Sequence, residues 1–154
     1  MTQEAQKIYE LLQDFDTAML VTSDGDLPHA RPMALACVDA NCDVWFFTGR
    51  GQAMVHEIQN DQDVLVVCQD ESKRYVTVRG RAELVVDRAR AHALWHDSYR
   101  EWFPGGVEDP KLLLLHVHAE EGTYWDEAHQ NGVHCSFAAA TQREMRPATE
   151  QTKR

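Results

Sequence analysis

The sequence predicts a mainly β fold, an antiparallel β-barrel with peripheral helices. Apolar, β-branched and aromatic runs of strand length recur along the chain, whereas helical patterns are few. Short polar turns join most neighbouring runs, and the Asp24-Gly25 pair between two such runs indicates an antiparallel hairpin. Residues 74–86 alternate between apolar and polar positions, as a strand with one buried face does. A barrel with helices at its edge is the economical architecture for this pattern.

The first half of the chain predicts a helix, a three-strand meander and a second helix. Apolar residues at helical spacing indicate an amphipathic opening helix. They are Ile8, Leu11, Leu12 and Phe15. The meander strands are expected at residues 17–23, 29–38 and 44–48. Met54, Val55 and Ile58 then resume helical spacing and predict a short second helix.

The second half predicts more strands, one helix and a tail. Residues 63–69 form an apolar run typical of a buried strand, and Gly80 indicates a bend or bulge within the strand at 74–86. Asp87 is suited to cap a helix that runs to about Tyr99. Further strands are expected at 112–118 and 122–125. We interpret residues 1–128 as one domain and residues 129–154, where hydrophobic content falls, as a flexible C-terminal tail.

Composition limits the classes of function. The chain has 154 residues and a net charge of −10, which disfavours nucleic acid and anionic membranes as partners. No stretch reaches the roughly 20 apolar residues of a membrane span, and the charged N-terminal segment does not resemble a signal peptide. The four cysteines contain no Cys-x-x-Cys pair, so we expect reduced thiols and a cytoplasmic protein.

A candidate phosphate site lies between the third strand and the second helix. Thr48, Gly49, Arg50 and Gly51 occupy this connection. The glycines allow a tight turn, the helix N-terminus offers unpaired N–H groups, and Arg50 adds a positive charge. The alternative is a tight strand-to-helix connection without a ligand.

Arg31 and two groups of aromatic residues are further candidates. The Arg31 guanidinium is suited to a phosphate or to a carbonyl of a planar ring, but an ordinary salt bridge is the alternative. Trp45, Phe46 and Phe47 cannot all face inward, because successive side chains of a strand point to opposite faces. The second group, outside the meander, predicts either a lid or partner-subunit wall over a ligand or a separate hydrophobic cluster. Its members are Trp95, Trp102 and Phe103.

Histidine spacing gives two weaker candidates for metal binding. His92 and His96 are four residues apart on a predicted helix, and His116 and His118 are two apart on a predicted strand. Neither pair has a third ligand at a recognised spacing, so no metal site is predicted. The sequence also lacks a Gly-x-Ser-x-Gly elbow, a dinucleotide fingerprint and a Walker loop.

Three motifs in this order resemble the pyridoxamine 5'-phosphate oxidase-like, FMN-binding split-barrel superfamily, in particular its general stress protein branch. The motifs are Arg31-Pro32-Met33, Trp45-Phe46-Phe47-Thr48-Gly49-Arg50 and Trp102-Phe103-Pro104-Gly105-Gly106. The likeness extends over about residues 6–126. It implies a six-stranded antiparallel split barrel that binds FMN at a homodimer interface, and an oxidoreductase activity. FAD offers the same ring and first phosphate, so the resemblance leaves it possible.

The resemblance also implies roles for individual residues. Arg31, Pro32 and Met33 are expected to line the flavin ring, and Phe47, Thr48 and Arg50 to approach the ring edge, ribityl chain and phosphate. Trp102 and Phe103 are expected to close the site from the second subunit.

One departure from the family pattern supports other functions. Met54 stands where the family often has a lysine, and loss of that cation removes a contact to phosphate. The main alternative is therefore a non-enzymatic dimer that has lost flavin binding and senses a ligand or binds a partner. A split barrel for haem or a deazaflavin is a third possibility.

Overall fold

The computed structural model describes residues 1–137. Within that range, the strands are β1 (Thr17–Asp24), β2 (Leu27–Val38), β3 (Val44–Gly49), β4 (Asp63–Gln69), β5 (Tyr75–Val85), β6 (Leu112–Asp126) and β7 (His129–Ser136). The α-helices are α1 (Gln3–Leu12), α2 (Ala53–Asn60) and α3 (Arg88–Leu94), and a 3-10 helix covers Asp97–Glu101. None of these helices combines the length and the apolar character that crossing a membrane requires.

Six antiparallel strands close into a barrel, as predicted. The sheet order is β3-β2-β1-β4-β5-β6-β7, and an additional β3–β6 pairing closes the ring. β6 is long enough to pair with two different strands, β3 and β7, along the same edge. Its first half pairs with β3, from Val117 opposite Val44 to Leu112 opposite Gly49. Its second half pairs with β7, which lies beyond the closed ring.

Two predicted backbone features are confirmed. Asp24 pairs with Leu27, so β1 and β2 are joined by a two-residue turn in which Gly25 has a φ of +62°. The β5–β6 register shifts between Arg79 and Gly80. A Cβ at Gly80 would lie 2.1 Å from the carbonyl oxygen of His118, so only glycine allows β6 to approach this closely.

The opening helix packs its apolar face against the barrel. The Thr2 side chain caps α1 by accepting a hydrogen bond from the backbone N–H of Ala5. Ile8 and Leu12 are fully buried and join the core that Phe46 fills from β3. α2 lies near β1 and β5, and its buried residues close the core beside the β3–α2 turn.

Two predicted boundaries are wrong. The helix that Asp87 caps ends at Leu94 instead of reaching Tyr99, because extended backbone at Trp95 and His96 separates α3 from the 3-10 helix. The strands expected at 112–118 and 122–125 are one continuous β6. The acidic residues between them fit a strand, because Glu121 forms an ion pair with Arg79 on β5, with Nη2 and Oε1 3.0 Å apart.

The predicted start of the C-terminal tail, at residue 129, is also too early. Residues 129–136 form β7, which pairs with the second half of β6. Cys135 and the following Phe137 are buried in the main core, and this burial offsets the polar composition of the strand. Residues 138–154, the rest of the predicted tail, lie outside the described part of the chain.

Candidate functional site

A cavity of about 370 Å³ lies between β2, the end of β3, the start of α2 and the 3-10 segment. This volume falls within the range of about 300–1,000 Å³ that is usual for small-molecule sites. All the predicted site residues except Arg50 line it, namely Arg31, Pro32, Met33, Phe47, Thr48, Trp102 and Phe103. The structure therefore brings together residues that lie more than 70 positions apart in the sequence.

Phe47 connects the barrel to the aromatic side of the cavity. Its ring lies 5.4 Å from the ring of Tyr99 and 5.5 Å from that of Trp95, and the Trp95 contact is edge-on at 78°. Phe103 lies farther away, with its ring centroid at 6.4 Å. Trp95 and Phe103 thus belong to a separate hydrophobic cluster, which was one alternative of the sequence analysis, whereas Trp102 is not part of it.

The aromatic motif on β3 divides between two surfaces, as predicted. Phe46 points into the main core, whereas Trp45 and Phe47 lie in a second cluster with Leu114 on the outside of the barrel. A strand whose two faces both bury aromatic rings is held firmly in place. The cavity therefore has one rigid wall.

Trp102 is the most exposed aromatic residue of the cavity lining. Its side chain remains 48% exposed, while Phe103 beside it is half-buried. The resemblance implies that both residues close the site from a second subunit. In the structure both residues line the cavity of their own chain. An exposed indole at the mouth offers a flat apolar surface on which a planar ring can stack.

Arg31 forms a salt bridge, but with a buried partner. Its Nη2 donates to Oε1 of Glu57 at 3.0 Å, and its Nη1 donates to the hydroxyl of Thr22 at 2.6 Å. Only 6% of the Glu57 side chain is exposed, and the same carboxylate contacts His29. Because Glu57 offsets the guanidinium charge, Arg31 is better suited to contact a neutral ring than to hold a phosphate dianion.

Arg50 lies outside the cavity, on a neighbouring one of about 490 Å³. The two cavities share Gln52 and Ala53, at the start of α2. Nε of Arg50 donates to the carbonyl of Pro110 at 3.1 Å, and the rest of this exposed side chain faces solvent. A ligand that extends from the first cavity past the N-terminus of α2 would therefore approach Arg50.

Met54 combines two roles. It is 4% exposed and packs in the main core, and it also lines the cavity near the start of α2. An apolar side chain at this point gives the cavity no positive charge. Gln52, which the sequence analysis did not name, also lines the cavity, and it precedes α2 without capping it through its side chain.

The two histidine pairs differ in the structure. His92 pairs with Glu108, and His96 is hydrogen-bonded to Ser98. Because α3 ends at Leu94, the two histidines do not lie one turn apart on the same helix, contrary to the prediction from sequence. His116 and His118 do share a face of β6, with ring centroids 4.0 Å apart. Asp43 lies against both of them.

Comparison with known proteins identifies the family. The family model described as pyridoxamine 5'-phosphate oxidase like matches residues 3–146. The chain belongs to this family. No curated protein matches it.

Several solved structures share this fold. The general stress protein 26 of Bacillus anthracis is 22% identical, with a TM-score of 0.76 over 88% of this chain and 99% of that one. A general stress FMN/FAD binding protein from Xanthomonas citri is 26% identical, with a TM-score of 0.69 over 80% of this chain and 89% of that one. A Clostridium acetobutylicum protein related to general stress protein 26 is 23% identical, with a TM-score of 0.72 over 82% and 89% of the two chains.

Within the family fold, the cavity chemistry is apolar and aromatic. Among the described residues that line it, none is a carboxylate, a histidine or a cysteine. The polar groups are the Thr48 hydroxyl, the Gln52 amide, the Tyr99 hydroxyl and the paired Arg31. Burial raises the pKa of Tyr99, and its hydroxyl donates to the carbonyl of Leu35 at 3.4 Å. The lining is therefore equipped to bind and orient a planar ligand.

Proposed function

We propose that this protein binds a flavin, FMN in the first place, and acts as a cytoplasmic homodimeric oxidoreductase. The observation that carries this proposal is the cavity, whose lining includes Arg31, Pro32 and Met33 together with Trp102 and Phe103. A site of this size, with apolar walls and few polar groups, suits a planar heteroaromatic ring. FMN supplies electron and hydride transfer when it is bound, so the chain itself need not provide a general base.

The start of α2 and Arg50 support a phosphate position. Helix N-termini attract anions because their first N–H groups lack partners within the helix. Gln52 and Ala53 line both cavities, and Arg50 lines the neighbouring cavity of about 490 Å³. A flavin ring in the first cavity would direct its phosphate toward the N-terminus of α2 and Arg50. FAD remains possible because its first phosphate would lie in the same place.

The relatives and the thiols support the rest of the proposal. The Xanthomonas citri relative is described as an FMN/FAD binding protein. Cys37, Cys42, Cys68 and Cys135 are all free thiols, as expected in a reducing compartment. The half-exposed Trp102 at the cavity mouth favours a second subunit beside it, because a large apolar side chain gains stability from being covered.

The test is a fluorescence titration of the purified protein with FMN, run beside FAD. Saturable binding with quenched flavin emission is expected. Arg50→Ala should weaken binding about ten- to hundredfold if its charge meets the phosphate, since a hydrogen bond to a charged group contributes about 1.5–3 kcal/mol. Arg79→Ala is the matched control, because Arg79 is an exposed arginine on β5 that lines neither cavity. Absence of saturable binding of either flavin would reject the proposal.

Trp102→Ala tests the ring site separately. We expect weaker flavin binding and little loss of stability, because the side chain is 48% exposed. Tyr75→Ala is the control, since Tyr75 is 41% exposed on β5 and does not line the cavity. Sedimentation at equilibrium tests the dimer, and a monomeric mass at the concentration of the titration would contradict that part of the proposal.

Met54 favours a second candidate function, a dimer that binds another ligand or a partner without flavin chemistry. An apolar residue at the start of α2 leaves the phosphate position without a second cation. If neither flavin binds while the protein is a folded dimer, this candidate becomes the better explanation. Met54→Lys, checked for folding because Met54 is buried, should then create flavin binding if only the missing cation prevents it.

A further inference from the structure

Three potential metal ligands meet on the outside of the barrel, apart from the residues that line the cavity. His116 and His118 occupy alternate positions of β6, so both point away from the core that Val117 enters. Asp43 lies at the end of the β2–β3 turn, against both rings. Their nearest nitrogen and oxygen atoms all lie within 4.8 Å of one another.

The distances suit a single small cation. Oδ2 of Asp43 is 3.0 Å from Nε2 of His116 and 3.5 Å from Nδ1 of His118. Ligand atoms of tetrahedral zinc are about 3.3 Å apart when each lies about 2.0–2.1 Å from the metal. Oδ2 of Asp43 is therefore close to this spacing from each histidine, and the ligand atoms of all three residues lie within 4.8 Å of one another. Two histidines and one carboxylate are also a common ligand set for divalent transition metals.

Neighbouring groups hold each ligand in the required orientation. Oδ1 of Asp43 accepts a hydrogen bond from the backbone N–H of Ala119 at 2.9 Å, which leaves Oδ2 directed at the histidines. Nε2 of His118 donates to Glu83 at 3.0 Å, which leaves Nδ1 unprotonated in the neutral ring. Trp45 stacks on His116, with ring centroids 3.9 Å apart and planes 9° apart. Outer hydrogen bonds like those of His118 and Asp43 are typical of metal-ligating residues.

The nearby cations are engaged elsewhere. Arg81 pairs with His118 across the β5–β6 ladder, but its Nη2 donates to Gln62. Arg90 lies over the ring of Trp45, with Cζ 4.4 Å from the ring centroid. Asp43 is buried, whereas the His118 side chain is 43% exposed, so the site opens to solvent on the His118 side.

A second cluster with metal-type side chains is less suitable. Asp24, His29 and Glu57 also lie within ligand distance of one another. There, however, Arg31 already donates to Glu57, and its fixed positive charge opposes a second cation. The Asp43 carboxylate instead accepts hydrogen bonds from His116 and from the backbone N–H of Ala119, and neither partner carries a fixed positive charge.

We propose that Asp43, His116 and His118 bind one divalent transition-metal ion of the zinc type. The ligand atoms are Oδ2 of Asp43, Nε2 of His116 and Nδ1 of His118, and the remaining coordination position is open to solvent. The His116 ring then carries its proton on Nδ1 instead of Nε2, so a neutral histidine binds without loss of a proton. This site shares no residue with the proposed flavin site, and its test does not depend on flavin binding.

The experiment uses the full chain after treatment with a chelator. Zinc is titrated in competition with a chromophoric chelator, and cobalt(II) is titrated separately to record its visible absorption. The ligand variants are His118→Ala and His116→Ala, each checked for folding by circular dichroism. The matched control is His129→Ala, because His129 is a similarly exposed histidine bonded to a single carboxylate, that of Asp126.

The unmodified protein and His129→Ala should each bind one equivalent of zinc and give the same cobalt spectrum. Zinc affinity should fall by at least about 100-fold in both ligand variants. Mutation of even an outer partner of a metal ligand lowers metal affinity by about 10- to 100-fold, and these variants remove a ligand itself. The proposal is overturned if the unmodified protein binds no stoichiometric zinc. It is equally overturned if a folded ligand variant binds zinc as tightly as the unmodified protein does.

Discussion

The buried carboxylate of Glu57 on α2 lies 3.0 Å from Nη2 of Arg31 on β2. This ion pair connects the helix to the strand at the edge of the candidate flavin cavity. Hydrogen bonds from Arg31 to Thr22 and Leu20 complete its attachment to β1. One side chain thus joins three elements, and its orientation depends on a carboxylate 26 residues away.

Glu57→Gln should destabilise the fold. The amide keeps the size of the side chain but removes the charge that compensates Arg31, and the lost charged hydrogen bond should lower the free energy of unfolding by about 1.5–3 kcal/mol. Urea denaturation measures this difference. Glu71→Gln is the control, because Glu71 is exposed in the β4–β5 turn and should change stability little. Equal midpoints for both variants would show that the pair is not important for stability.

Gly80→Ala should be strongly destabilising, whereas Gly51→Ala should not. The new Cβ at Gly80 would lie 2.1 Å from the carbonyl oxygen of His118, so β5 and β6 must separate. We expect a loss of about 1–3 kcal/mol or more from this overpacking. At Gly51 no atom lies within 4 Å of the new Cβ. Thermal unfolding of the two variants provides the comparison, and a Gly80→Ala protein as stable as the control would contradict the bulge geometry.

The cysteines should differ in their reactivity toward thiol reagents. Burial raises the pKa of Cys42 and of Cys68 to about 12, so neither forms an appreciable thiolate near neutral pH. Cys135 is also buried, whereas Cys37 is half-buried. Mass spectrometry after native labelling should find Cys37 modified first, and all four thiols modified in denaturant. Cys37→Ser should remove the early label. Rapid native labelling of Cys68 would be inconsistent with the core described above.

Asp70 should contribute to stability at neutral pH and not in acid. A side-chain hydrogen bond from Arg74 holds the pKa of Asp70 below its ordinary value. Because the folded-state pKa is the lower one, the contribution is present above the unfolded pKa of about 3.9 and is lost as pH falls through the folded pKa. Asp70→Asn should therefore be less stable than the unmodified protein at pH 7, and the difference should shrink in acid.

Urea denaturation at a series of pH values between neutral and strongly acidic measures this effect. Asn at position 70 can still accept the backbone N–H groups of Ser72 and Arg74, so the variant isolates the charge. Asp26→Asn, in the exposed β1–β2 turn, is the control and should show no such pH dependence. A difference that stays constant down to low pH would contradict the Arg74 contact.

The fold was largely predictable because its local signals agree. Asp24 and Gly25 mark the first hairpin, Gly80 marks the bulge, and alternation places Val76 and Val78 inside. The errors occurred where long-range pairing overrides composition. Glu121 is tolerated within β6 because Arg79 lies across the ladder, and the polar β7 is held by β6 and by the burial of Phe137.

The site was predictable only in part. The resemblance implied that Arg31 and Phe47 contact the flavin and that Trp102 reaches the site from the second subunit. In the structure all three residues line one cavity of the same chain. The partners that fix such residues carry no sequence signal, because they lie far away in the chain. Glu57 is one example, and Asp43, which lies 73 residues from His116, is another.

The sequence by itself determined the mainly β class, the amphipathic first helix, the turns and the face of each strand that turns inward. Spacing decides these features, because an apolar residue repeated every second or every third to fourth position has only one way to be buried. Only the tertiary structure decided that β3 pairs with β6 to close the barrel. It also decided that Arg31 meets Glu57 and that Asp43 meets His116. Such contacts depend on strand register and on the burial of charge, which take effect only when distant segments are packed together.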